Sequence, residues 1–196
     1  MQKKENNFAF IDSQNLNLGI QKLGWNLDFQ KFRIYLAEKY GVTTIYLFIG
    51  YMPENQDLYS SLQKAGYILI FKPVLPDKDG RVKGNVDADM VLKAMTEYAK
   101  YDKAVIITSD GDFYSLVKYL YEHNKLKIVM SPYVKTCSSL LKKSAQEKII
   151  FMSNLRQKLG YNKTHNKQTS QNDTKGQNKT QQTRPDTKKY RRRTKP

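Results

Sequence analysis

Apolar residues in this chain follow two patterns that take turns. Short continuous runs, rich in β-branched and aromatic residues, occur at residues 8–11, 44–49, 67–71, 104–107 and 126–130. Runs of this length without alternation predict strands buried on both faces. Between them the apolar positions move to helical spacing. Phe29, Phe32, Leu36 and Tyr40 share one face of a predicted helix, with Asp28 as its cap and Gly41 as its stop. Residues 53–65 predict a second helix, opened by Pro53 and ended by Gly66. Residues 86–100 predict a third, with Val91, Met95 and Tyr98 inward, and Phe113, Leu116, Val117 and Leu120 a fourth. Residues 136–141 and 146–155 read as two short closing helices. The stretch from Ser13 through Gly19 and Gly24 reads as a loop, and residues 72–85 as a loop or loose hairpin. Strands alternating with helices predict an α/β fold, a mostly parallel five-stranded sheet flanked by helices, with right-handed crossovers.

Beyond residue 160 the aliphatic residues vanish, and Asn, Gln, Thr and Lys dominate. Such a segment buries too little surface to offset its ordering entropy. The expected organisation is therefore one domain over residues 1–160 and a disordered basic tail over 161–196. Charge sharpens this picture. The chain holds 34 Lys and Arg against 18 Asp and Glu, a formal net charge of +16. Residues 161–196 alone hold 11 basic residues against 2 Asp. A polyanionic partner is the natural reading, nucleic acid above all, and a tail that only aids solubility is the plain alternative. The single cysteine, Cys137, excludes disulfide stapling and fits a reducing compartment. No run reaches the roughly 18 apolar residues of a membrane span, and no signal-peptide core precedes the first strand. A cytoplasmic protein without membrane partners is expected; a homodimer is left open.

The chemistry concentrates in carboxylates at strand-to-helix junctions. Asp12 closes the first strand. Asp110 and Asp112 lie in Ser109-Asp-Gly-Asp112 after the fourth, and Asp87 and Asp89 in the first turn of the helix before it. Parallel sheets of this kind bind ligands beyond the carboxyl ends of their strands, where strand order reverses. Adjacent first and fourth strands would bring Asp12 and the Asp110/Asp112 pair into one crevice. Several carboxylates sharing a cleft must protonate or hold a cation. An all-oxygen set suits Mg²⁺ or Mn²⁺, whereas His123, His165 and an isolated Cys137 do not make a zinc site. Each acid also has a structural reading: Asp12 as an Asx turn, Asp112 as a helix cap, Asp87 as a partner of the helix dipole. Asp89 points elsewhere on its helix. Asn15 could orient a neighbour or cap a turn. Tyr51, Tyr114 and Tyr133 flank strand ends and could stack on bases or simply pack.

Three segments carry a family resemblance: Phe10-Ile-Asp-Ser-Gln-Asn-Leu16, Lys83-Gly-Asn-Val-Asp-Ala-Asp-Met-Val-Leu92 and Val105-Ile-Ile-Thr-Ser-Asp-Gly-Asp-Phe113. Together, over about residues 8–131, the chain resembles the NYN-domain proteins, which are PIN-like ribonucleases. The resemblance implies a Rossmann-like PIN fold and an endoribonuclease site dependent on Mg²⁺ or Mn²⁺, acting on RNA. It assigns metal binding to Asp12, Asp87, Asp110 and Asp112, with Asn15 and Ser109 in the matching motifs. Lys93 departs from it, standing where many members carry another acid. Lys83 and the tail residues Lys188, Lys189, Arg191, Arg192 and Arg193 are expected to contact phosphates.

Overall fold

The central layer is a parallel sheet whose strands are apolar on both faces. The structure, a computed structural model, describes residues 5–72, 75–76, 82–83 and 86–161, of which 75–76, 82–83 and 86–87 by backbone only. In chain order the elements are β1 (Asn7–Asp12), α1 (Ser13–Lys22), α2 (Phe29–Tyr40), β2 (Val42–Gly50), α3 (Gln56–Lys64), β3 (Ile68–Lys72), β4 (Leu75–Pro76), β5 (Val82–Lys83), α4 (Val86–Thr96), β6 (Ala104–Ile107), α5 (Tyr114–Glu122), β7 (Leu126–Ser131), α6 (Ser139–Ala145), β8 (Ile149–Phe151) and α7 (Arg156–Leu159). Among the described residues six strands form one sheet, in the order β3-β2-β1-β6-β7-β8, with every pairing parallel. β4 and β5 pair antiparallel as a separate two-stranded sheet, within the stretch expected as a loop or loose hairpin.

Alternation along each strand serves two cores. Phe8, Phe10, Tyr46, Phe48, Ala104 and Ile106 face α4, α5 and α6, where Met90, Leu116, Leu120 and Leu141 meet them. Ala9, Ile11, Ile45, Leu47, Val105 and Ile107 face α1 and α2, meeting Leu16, Ile20, Phe32 and Leu36. Burial on both faces accounts for runs that read as continuous rather than alternating. The chain leaves β1 towards β2 and β3, then returns to the other side of β1 as β6. The reversal of strand order therefore lies between β1 and β6, at the pair that carries the acids.

Three sequence expectations change. The sheet has six strands, not five. The added strand, β8, lies inside the stretch predicted as a helix over 146–155. Gln146 ends α6 at φ 50°, a backbone sign reversal with no sequence signal, and the chain then pairs with the edge of β7. Second, the expected loop after β1 is α1. Gly19 lies in its interior and is buried because a Cβ there would collide with the ring of Pro132 just past β7. Glycine marks close packing at this position rather than a break. Third, α6 begins at Ser139, within and beyond the helix predicted over 136–141. The tail residues Lys188, Lys189, Arg191, Arg192 and Arg193 lie outside the described residues. Lys83 is placed in β5 by its backbone alone. Among the described residues no helix is long and apolar enough to cross a membrane.

Candidate active site

Register sets the site. Phe8 to Ile11 align with Ala104 to Ile107, so Asp12 and Thr108 leave the sheet side by side at the carboxyl ends of β1 and β6. Asp12 is 5% exposed. Its Oδ1 accepts the N–H of Asn15 at 3.1 Å and caps α1. Its Oδ2 accepts the hydroxyl of Thr108 at 3.5 Å. Thr108 in turn accepts the N–H of Asp110 through Oγ1 at 3.1 Å, so one side chain bridges the two acids. Asn15 closes the ring from the other direction, its Oδ1 accepting the N–H of Ser109 at 2.8 Å. One helical turn after Asp12 thus pins the loop that carries Asp110.

That loop is fixed on its far side as well. The Ser109 hydroxyl shares a hydrogen bond of 2.9 Å with Ser131 at the end of β7, and the Ser109 carbonyl accepts the N–H of Ser138 at 3.0 Å. Gly111 lies so close to Ser138 that a Cβ would meet its Oγ at 2.5 Å and its Cβ at 3.1 Å. A side chain between the two acids would therefore have to push Ser138 aside. Asp110 caps the following 3-10 turn, accepting the N–H of Asp112 at 3.0 Å. The structural reading of Asp112 as a cap is thus not borne out: Asp110 takes that role, and Asp112 is exposed in the first turn.

The electrostatics single out Asp12. Burial pushes its carboxyl above the ordinary aspartate range, and the neighbouring Asp110 charge pushes the same way. The Asn15 N–H, the Lys72 ammonium and the Thr108 hydroxyl oppose the shift without cancelling it. Lys72 carries no sequence motif. It ends β3, is 4% exposed, and lies on the Asp12 face, because Asp12 aligns with Phe48, Phe48 with Ile70, and Lys72 is two residues further. Register across three strands, which no local pattern reveals, brings it here. Thr108 was also missed, although a hydroxyl residue between an apolar run and Ser-Asp was a readable signal.

Asp87 is the second residue of α4, a helix that packs on β1 and on the 3-10 turn holding Asp112. A helix leading into a parallel strand starts at the carboxyl edge of the sheet, so Asp87 belongs to that edge; its side chain is outside the described residues. Asp89 is exposed. Lys93 lies further along α4, paired with Glu97 at 2.9 Å and set over the Tyr46 ring, so it belongs to the helix and not to the crevice. Among the described residues no three His, Cys, Asp or Glu side chains form a metal-holding group. The side-chain oxygens that meet are those of Asp12 and Thr108, and the Asp110 charge acts on Asp12. Such oxygens fit a hard divalent cation rather than zinc or copper.

The comparisons with known proteins agree with this architecture. The family model described as NYN domain matches residues 8–177, beyond the span of the three motifs. Among solved structures, a Vibrio parahaemolyticus RIMD 2210633 protein titled as being of unknown function is 23% identical. The alignment covers 78% of this chain and 96% of that one, with a TM-score of 0.62, which shows a shared fold. No curated protein matches.

Proposed function

The chain belongs to the NYN domain family, a domain of the PIN-like ribonuclease superfamily, and from that premise we propose that it is a divalent-metal-dependent endoribonuclease hydrolysing RNA phosphodiester bonds. The observation that carries the reading is Asp12: a capping role alone does not require a carboxylate desolvated beside a second one, since a neutral Asn or Ser caps equally well. Domains of this superfamily typically use divalent metals. Asp12 and Asp110 would hold Mg²⁺ or Mn²⁺, with Asp87 and Asp112 completing the site directly or through water. When bound, such an ion polarises the phosphodiester and lowers the pKa of the attacking water.

The remaining steps belong to the protein. The Thr108 hydroxyl donates to the Asp12 carboxylate and accepts the Asp110 main-chain N–H. Asn15 and Ser109 tie down the loop that carries Asp110. Lys72 supplies a fixed positive charge next to Asp12. Lys83 and the basic residues Lys188, Lys189, Arg191, Arg192 and Arg193 would grip the backbone without reading sequence. In a cleavage assay on single-stranded and structured RNA with Mg²⁺ or Mn²⁺, Asp12→Asn and Asp110→Asn should each lower the rate more than about 100-fold, beyond the usual effect of an outer-shell change. Cleavage that persists in both variants rejects the assignment.

A second reading, an RNA-binding adaptor that keeps the fold without catalysis, is favoured by one observation: the described residues alone do not gather three acids. RNA affinity without cleavage, and no Mn²⁺ binding at millimolar concentration, would select it.

A further inference from the structure

The carboxyl edge of the sheet carries an aromatic corner that the catalytic reading does not use. Tyr51 follows β2, Phe71 is the penultimate residue of β3, and both rings are half exposed. They stand at 89° to one another with centroids 5.6 Å apart. Tyr59 of α3 lies beneath, 3% exposed, at 4.8 Å and 75° from Phe71 and 6.0 Å and 24° from Tyr51. The corner is held by its hydroxyls. Tyr59 donates to the Gly50 carbonyl at 3.1 Å and accepts the Met52 N–H at 2.7 Å, while Tyr51 accepts from Gln56 Nε2 at 3.1 Å. Rings pinned this way lose little freedom when a flat group stacks on them.

Its position relates it to the acids. Asp12 aligns with Phe48, and Tyr51 comes three residues later. The two main-chain positions are thus about 10 Å apart along the strands and one interstrand step of about 4.8 Å across. Phe71 aligns with Ile49 and so faces the side of the sheet opposite to Lys72 and Asp12, which places the corner across the carboxyl edge from the acids.

We propose that Tyr51 and Phe71 form a stacking subsite for one unpaired nucleobase of a single-stranded RNA whose backbone crosses the acidic site. The proposal rests on the ribonuclease reading for its substrate class. Charge favours this occupant over a second copy of the chain: a protein of net charge +16 repels its like and attracts a polyanion. Stacking is tolerant of base identity, so the subsite selects unpaired over paired strands rather than one sequence over another.

The test uses the full chain carrying Asp12→Asn, so that bound RNA stays whole. Fluorescence anisotropy would compare a labelled single-stranded RNA, the same strand abasic throughout, and a duplex. Tyr51→Leu and Phe71→Leu should each weaken the single strand about 5- to 150-fold, the usual range for one stacked base. The abasic strand should change by less than about twofold, because its binding is electrostatic. Tyr51→Trp, which keeps a stacking face, should hold wild-type affinity and shows that a loss in the Leu variants is not misfolding. Equal weakening of both strands, or none, overturns the proposal. So does loss of self-association in sedimentation with RNA affinity intact, which would assign the corner to a dimer. Failure of the wild type to cleave would sink the ribonuclease reading alone, because the base-dependent difference in binding is measured without cleavage.

Discussion

The two ends of the same strands treat charge in opposite ways. Among the described residues at the amino edge, Glu5, Lys103, Lys125 and Lys127 all have partners. Glu5 meets Lys127 at 2.5 Å and Lys103 at 3.6 Å, and the hydrogen bond from Lys127 heads the causes that hold its carboxyl down at about 2. Asn7, fully buried, donates to the Tyr40 carbonyl and accepts the Lys103 N–H, which ties β1 to the ends of its neighbours. Lys125 Nζ donates to the carbonyls of Tyr98 and Tyr101. At the carboxyl edge, burial and a like charge push Asp12 the other way. One edge is arranged for stability. The other buries a carboxyl whose ionisation is opposed chiefly by desolvation.

The contrast can be sharpened from either end. Next to the loss of an acid itself, the larger effect is expected at the carboxyl edge from Gly111→Ala. The new methyl group would press Ser138 and displace the loop between Asp110 and Asp112. Cleavage should fall on the order of 100-fold, as for an active-site shift of about 1 Å. The double variant with Ser138→Gly, which opens the space, should recover most of the rate; no recovery would mean that the glycine matters for some reason other than this contact.

The smallest effect is expected at the amino edge from Glu5→Gln. Glu5 is partly exposed, so its pairs contribute below about 1 kcal/mol at neutral pH. Because its folded pKa is depressed, that contribution is complete above the ordinary glutamate value and is lost as pH falls towards about 2. Glu5→Gln should therefore remove part of the acid limb of the melting curve and leave cleavage unchanged. A change in cleavage rate would show that the two edges are not independent.

How much of this could be read beforehand follows from how local each signal is. α2 was legible residue by residue, because Asp28, the Phe29 to Tyr40 stripe and Gly41 at φ 63° are neighbours in sequence. Asp12 and Asp110 were expected to converge because strand-ending acids fall at the reversal of strand order; Asn15 and Ser109 were named from the motifs that carry the resemblance, and hydrogen bonds join the four through Thr108. α1 was not legible, because Gly19 is accommodated by Pro132, more than a hundred residues away. β8 was not, because three residues become a strand only when the edge of β7 is there to pair with. Lys72 was hidden for the same reason: its burial and its nearness to Asp12 arise from register across β1, β2 and β3.

The most direct measurement of the central claim is the metal-free melting temperature of wild type and Asp12→Asn as a function of pH, repeated with Mn²⁺. A carboxyl whose folded pKa is raised binds its proton more tightly in the folded state. Stability therefore falls as pH climbs from the ordinary aspartate value near 4 to the raised one. Asparagine keeps the cap without the charge. The account predicts that wild type loses stability relative to Asp12→Asn across that window, that Asp12→Asn is the more stable at neutral pH without metal, and that Mn²⁺ raises the wild-type curve alone. Parallel pH profiles, with Mn²⁺ shifting both proteins equally or neither, would contradict it.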